Sequence, residues 1–394
     1  MCAEFDEEML KTVLSFTGTV TDSAFTQVRR STKTGGLGFR AAQNHASAAY
    51  LASLTTCAGL DHWDPSQTGT GYTEALTAVA SATDLTVEQV RTIATTQADL
   101  SKAIEDKAFS KDLASASLWD RMRMISQSAP HAADWLLAIP SSDMNQVFTP
   151  REFVAVVRWW LGQHVYDEEE ECPACGQLSD KGGYHALVCG SWGGRIHRHH
   201  ALANECARTL VKAHHSPSRE KSLDGTTRPA DVYLPHWSIG KPLALDFAVT
   251  HPQQPQSFSI AGEVTPGSWA TAYGTLHKSQ FEAPCEKRGV QFQAMVVETF
   301  GAWDPTARQM LESFANEYAI HQDVDAKFAS RILFQRLSIT LMRMNARMLL
   351  VRNSSGFDEE TPLFNEWEQP DITVEADVWE IHPDPVDEDG LFRF

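Results

Sequence analysis

An α/β protein with a helical first part is predicted, and three observations carry the prediction. Residues 228–252, RPADVYLPHWSIGKPLALDFAVTHP, alternate apolar and polar positions with the period of two that strands require. Residues 149–160 and 326–352 repeat their apolar positions at helical spacing. Between these regions stands CPAC, followed by a histidine and a further cysteine.

The 394 residues, 42% of them hydrophobic, suffice for two or three domains with real cores. No run approaches the ~18 apolar residues of a membrane span, and MCAEFDEEML is acidic where a signal peptide is basic and then apolar. A nuclear or cytoplasmic protein is expected, neither secreted nor membrane-bound. Seven cysteines, an odd number that includes a CxxC, fit zinc and free thiols better than a disulfide framework.

The net charge of −18 is unevenly spread. Residues 354–394 hold 13 acids against Arg393, whereas residues 190–353 hold 18 Lys and Arg against 14 Asp and Glu. The paired strands therefore lie in the mildly basic part, and the proline-studded acidic tail is expected to be disordered.

In chain order, a helical segment leads to STKTGGLGFR, where Gly35, Gly36 and Gly38 mark a turn; no Lys-Ser/Thr follows, as a phosphate loop would need. Thr86 with Gln89 forms a capping box before a helix carrying Val87, Val90, Ile93 and Leu100. Thr149, Pro150 and Glu152 supply an N-cap, an N1 proline and an acid at N3 ahead of Phe153, Val156, Val157 and Trp160. Residues 1–165 are thus a helical region without identifiable chemistry.

Residues 166–200 are predicted to hold a zinc knuckle. Cys172, Cys175, His185 and Cys189 are four soft or borderline ligands in a span short enough to close a tetrahedron around Zn2+. Four protein ligands leave no open position, so the site is expected to be structural. The next stretch, RIHRHH, offers Arg195, His197, Arg198 and His200, with His199 in the same histidine cluster, as phosphate contacts, as a second metal site, or simply as the polar entrance to a helix. It opens a helix that turns Ala203, Ala207 and Leu210 inward.

Residues 201–303 hold the strands. In LALDFAV, Leu243, Leu245, Phe247 and Val249 share one face, which leaves Asp246 on the other between Ala244 and Ala248, with space around it. Asp231 lies on the preceding strand, and a hairpin through Gly240 and Pro242 brings both acids to one face. Two carboxylates with room between them suit a hard cation such as Mg2+. Glu205 and Glu220 are candidates for a third acid. A loop over residues 254–267, a helix with Tyr273, His277, Lys278 and Phe281, and a buried strand over 290–298 follow. Residues 304–353 close with helices: Asp304 and Pro305 cap one, and a long one bears Phe328, Ile332, Leu333, Leu337, Leu341, Met344, Met348 and Leu349.

The order CCHC knuckle, RIHRHH, RPAD, LDFAVT, HKSQF and VETFG resembles the C-terminal part of non-LTR retrotransposon polyproteins, where a zinc knuckle precedes a restriction-endonuclease-like domain of the PD-(D/E)XK type. The likeness covers about residues 135–350, and GGLGFR resembles the segment after reverse transcriptase in such polyproteins. The resemblance implies a mixed sheet flanked by helices and a metal-dependent endonuclease that nicks target DNA, with RNA of the parent element as a second candidate partner. It implies Asp231 and Asp246 as Mg2+ ligands, Lys278 as the group serving the attacking water, and Arg228 and His200 as contacts to backbone oxygens. The chain departs from the pattern in two places: Ala230 splits the Pro-Asp pair, and Ala248 stands where the usual lysine would be; the resemblance to the retrotransposon branch implies a lysine supplied from the next helix, at Lys278. No Asp-Asp pair occurs, so the reverse-transcriptase metal motif is missing and a fragment or adapted copy is expected. The alternative is an inactive zinc-containing nucleic-acid-binding module.

Overall fold

The computed structural model describes residues 2–351 apart from 19–20, 58–69, 94–95, 143, 145, 192, 224–229 and 260–263. The acidic tail therefore lies outside the described residues. The helical first part consists of α1 (Cys2–Thr17), α2 (Asp22–Val28), α3 (Ala42–Cys57), α4 (Thr70–Ala82), α5 (Val87–Ile93), α6 (Gln97–Ser115), α7 (Leu118–Gln127) and α8 (Pro150–Trp160). A two-stranded ribbon, β1 (Glu170–Glu171) and β2 (Leu178–Ser179), precedes α9 (Tyr184–Val188) and α10 (Gly194–Lys212). Then come β3 (Ser218–Lys221), β4 (Ala230–Leu234), β5 (Leu243–Thr250), α11 (Ser268–His277), α12 (Glu282–Glu286), β6 (Gln291–Glu298), α13 (Pro305–Gln322) and α14 (Ala326–Val351).

Capping chemistry sets many of these boundaries. At α8, Glu152 N–H donates to Thr149 Oγ1 at 3.2 Å while Thr149 N–H donates to Glu152 Oε2 at 2.9 Å, a reciprocal box that leaves both amides satisfied. Thr86 and Gln89 do the same for α5 at 3.2 and 2.8 Å. The helix expected to run on to Leu100 is instead two, because Thr96 caps a new one, accepting from Asp99 N–H at 3.2 Å. The glycines after α2 make the expected turn. A Cβ on Gly36 would lie 2.0 Å from Arg30 O, and the Gly35 carbonyl accepts from Gln27 Nε2 at 2.7 Å and Trp160 Nε1 at 2.8 Å.

The main sheet has the order β3-β4-β5-β6, antiparallel across its first two junctions and parallel between β5 and β6. It is a mixed sheet between helices. On one face Leu243, Leu245 and Phe247 join Val232, Leu234, Met295 and Val297 in the principal core, with α10, α13 and α14 packed above. That core also takes Val13, Val28, Val156 and Trp160 from the first part of the chain, so α1, α2 and α8 are built onto the sheet's own helices. Residues of α3 to α6, including Leu51, Leu76 and Leu100, form a second, smaller core.

The opposite face is covered, not open as Ala244 and Ala248 suggest. Ala244 packs with Cys285 and Val290 near α12, and Ala248 packs with Ala270 of α11 and Val296. Small strand residues here let helices approach closely. Strand β3, SREK, has no apolar alternation and escaped the sequence reading. Among the described residues no helix is long and apolar enough to cross a membrane.

Candidate metal centres and the carboxylate pair

Two short turns bring the cysteines and the histidine together. Cys172 O accepts from Gly176 N–H at 2.8 Å, which curls CPAC into a knuckle; Gly176, at φ 69°, supplies the left-handed residue that the turn needs. Asp180 then caps α9, its two oxygens accepting from Tyr184 and His185 N–H at 3.0 and 2.8 Å, and this fixes His185 toward the knuckle. His185 Nε2 lies 3.3 Å from Cys175 Sγ, and Cys189 Sγ lies 3.7 Å from the same sulfur. One ligand atom from each of Cys172, Cys175, His185 and Cys189 falls within 4.8 Å of the others, so the cluster could hold a metal such as zinc. Burial alone pushes the Cys172 thiol up, but the Ala174 and Cys175 amides and the His185 ring outweigh it and bring it down to about 6, toward the thiolate that metals bind.

The carboxylate pair follows from strand register. Val232 opposes Leu245, Tyr233 opposes Ala244 and Leu234 opposes Leu243. One step further along the same register, Asp231 faces Asp246, where directly opposed Cβ atoms lie about 5 Å apart. The ladder stops there because a side chain takes the backbone's place: Phe247 N–H donates to Asp231 Oδ2 at 2.6 Å. Two neighbours close on the pair. His199 of α10 brings Nε2 to 3.1 Å from Asp231 Oδ1, and Lys278, the C-cap residue of α11, brings Nζ to 2.8 Å from Asp246 Oδ1. The helix expected to continue to Phe281 stops at His277, which lets Lys278 turn in.

The two acids are inequivalent. Burial raises the Asp231 carboxyl, but the hydrogen bond and charge of His199 and the Phe247 amide overcome it and hold the group below the usual carboxylate range. At Asp246 burial again raises it, Lys278 opposes, and the neighbouring Asp231 adds to the rise, leaving Asp246 at about 6. Asp246 Oδ2 is buried and has no hydrogen-bond donor, and the Asp231 carboxyl beside it makes ionisation of Asp246 harder still.

The other candidates are dispersed. Glu220 of β3 sits 3.6 Å from His200 Nε2, and together with His199 these residues form a second group of metal-ligand atoms within 4.8 Å of one another. Glu205 points elsewhere: it is buried between Arg336 of α14 and Arg208, at 3.3 Å from the latter, so its charge is already paired. Arg195 is exposed at the start of α10, and burial lowers the His197 imidazole. Arg228 lies outside the described residues. Arg198, expected at phosphates, is instead a core residue, 2% exposed, donating to Asn345 Oδ1 at 2.7 Å and to the Leu187 carbonyl at 3.2 Å. Arg198→Ala should therefore leave both acceptors unsatisfied and a cavity behind, costing about 3 kcal/mol or more in urea unfolding; an unchanged midpoint would refute that role.

The sequence placed His199 only within the RIHRHH cluster and gave it no role beside Asp231, although a signal existed. His199 stands three and seven residues before Leu202 and Cys206, both fully buried, and so heads the stripe of α10 that faces the sheet. No protein-family model matches the chain, and a search of curated proteins finds none similar to it.

Proposed function

We propose that the chain is a metal-dependent endonuclease of the restriction-endonuclease-like type, hydrolysing phosphodiester bonds in DNA and related to non-LTR retrotransposon proteins. One observation carries this reading. A buried carboxylate oxygen with no donor, Asp246 Oδ2, stands beside a second carboxylate and a lysine ammonium at 2.8 Å, an arrangement costly to fold and suited to a hard divalent cation. Asp231 and Asp246 would hold Mg2+, which when bound polarises a phosphate oxygen and acidifies water. The chain's own groups then divide the remaining work. Phe247 N–H and His199 keep Asp231 ionised and pointed inward. Lys278 neutralises Asp246 and can orient a water toward phosphorus. Exposed Arg195 lies in the stretch that carries the chain's positive balance, where phosphates are contacted without sequence preference.

The test is supercoiled plasmid with the zinc-loaded full chain and Mg2+. Nicked circles are expected with the wild type, at a rate reduced at least ~100-fold in Asp246→Asn and in Lys278→Ala, losses of the size seen when a group acting only in the transition state is removed. Equal rates in all three proteins would refute the assignment. The acids' burial, 7 and 5% exposed, favours a second reading, an uncatalytic module that retains DNA or RNA. Its signature is plasmid retention by the wild type with no nicking at any Mg2+ concentration.

A further inference from the structure

We propose that His199, His200 and Glu220 form a second metal site, separate from the four-ligand cluster, for a borderline divalent transition metal. One ring nitrogen of each histidine and one Glu220 oxygen lie within 4.8 Å of one another. The 3.6 Å between His200 Nε2 and Glu220 Oε1 is close to the ~3.3 Å edge of a tetrahedron whose bonds are ~2 Å long. Two imidazoles and one carboxylate select Zn2+, Co2+ or Mn2+ over Mg2+, because imidazole is a borderline ligand and Mg2+ prefers oxygen.

Three further features distinguish this group from a chance gathering of polar side chains. Glu220 has φ 51°, a left-handed conformation that a glutamate adopts at a cost, and it falls between the paired residues Arg219↔Val232 and Lys221↔Ala230, opposite Asp231. With Nδ1 as the metal-binding nitrogen, His199 would keep the Asp231 carboxylate, 3.1 Å from its Nε2, as the outer partner that ordinarily fixes the orientation of a metal-bound imidazole. All three residues are half-buried, and three protein ligands leave a coordination position open, whereas the Cys3His cluster has none to spare. The site thus joins the carboxylate pair through Asp231, but its occupancy does not depend on the nuclease reading.

Cobalt distinguishes the two sites in the full-length protein. Co2+ in the Cys3His cluster gives intense thiolate charge-transfer bands, whereas Co2+ on imidazole and carboxylate gives only weak visible bands. After dialysis against excess Mg2+ and metal counting by mass spectrometry, the wild type is expected to keep two equivalents of Co2+. His200→Gln and Glu220→Gln should each keep one, with thiolate bands unchanged and cooperative unfolding retained. One equivalent in the wild type, or two in both variants, overturns the proposal. Neither result bears on whether plasmid is nicked, so the two proposals can fail separately.

Discussion

Replacing Cys189 with serine is expected to cost the protein its Cys3His metal and a large part of its thermal stability. The segment from Cys172 to Cys189 is held by few backbone bonds, and α9, at five residues, is far shorter than any helix stable alone. Yet it delivers Ala186 and Leu187, both fully buried, to the principal core, and its Leu187 carbonyl receives Arg198. Gly183, where a Cβ would fall 2.3 Å from Leu349 Cδ2, brings the same segment against α14. A structural zinc site contributes roughly 10–16 kcal/mol in isolated fingers, comparable to the whole net stability of a domain. Only the share that docks α9 passes to the rest of this core, so a loss of about 4 kcal/mol and a fall in Tm of about 10 °C are expected. Scanning fluorimetry of Cys189→Ser, and of the wild type with chelator, measures it. A zinc-free wild type melting at the same temperature as the loaded protein would show that the loop folds without metal.

The parts of the molecule legible in the sequence are those where one local rule governs. Thr149, Pro150 and Glu152 cap α8 because the capping box needs only residues three apart, and the knuckle is legible because its ligand types and spacing are themselves the chemistry. Alternation in LALDFAV put Leu243, Leu245 and Phe247 on the core face and Asp246 with Ala244 and Ala248, as found. Illegible parts depend on what a side chain meets far along the chain. Arg198 is a charged residue in a basic stretch, and only the arrival of Asn345, 147 residues later, makes it a core residue. Glu205 is neutralised by Arg336, 131 residues away, which no local pattern announces. Strand β3 forms because the edge of β4 recruits it, although Ser218, Arg219, Glu220 and Lys221 have no strand pattern of their own.

The same division explains why the acid pair was half legible. Alternation and the hairpin placed Asp231 and Asp246 together, and the helix after the loop supplied Lys278. The closure of the face was not legible, since small residues in a strand are compatible either with a vacant cleft or with a helix packed close. Here α11 and α12 take the second course, and the acids end up 7 and 5% exposed. Burial raises both carboxyls alike, and what separates their chemistry is their partners: His199 and the Phe247 amide for Asp231, Lys278 and the Asp231 charge for Asp246.

Asparagine at the two acid positions is therefore expected to act in opposite directions on stability. Asp246 is pushed up to about 6 by burial and by Asp231 in spite of Lys278, so above that pH its ionised form weighs against the fold. Its unfolded value is near 3.9. The deficit is absent below about pH 4, grows as pH rises to about 6 and stays constant beyond. Asp246→Asn removes it, and at pH 7.5 should stabilise the chain by on the order of 1–3 kcal/mol, at about 1.4 kcal/mol per tenfold displacement. Toward pH 4 the gain should vanish. Asp231 lies below the ordinary range, so its contribution is present above about pH 4 and lost as pH falls through its folded-state value. Asp231→Asn exchanges a charged acceptor for a neutral one at Phe247 N–H and His199, and should cost about 1–2 kcal/mol at pH 7.5. Urea unfolding of the three proteins at pH 4 and 7.5 reads both signs. A variant that folds better and nicks plasmid more slowly is the pattern of a residue kept for function at the expense of stability. Equal destabilisation by both substitutions would instead mean that Asp246 and Lys278 are an ordinary buried ion pair, and the strongest support for a cation at this site would be gone.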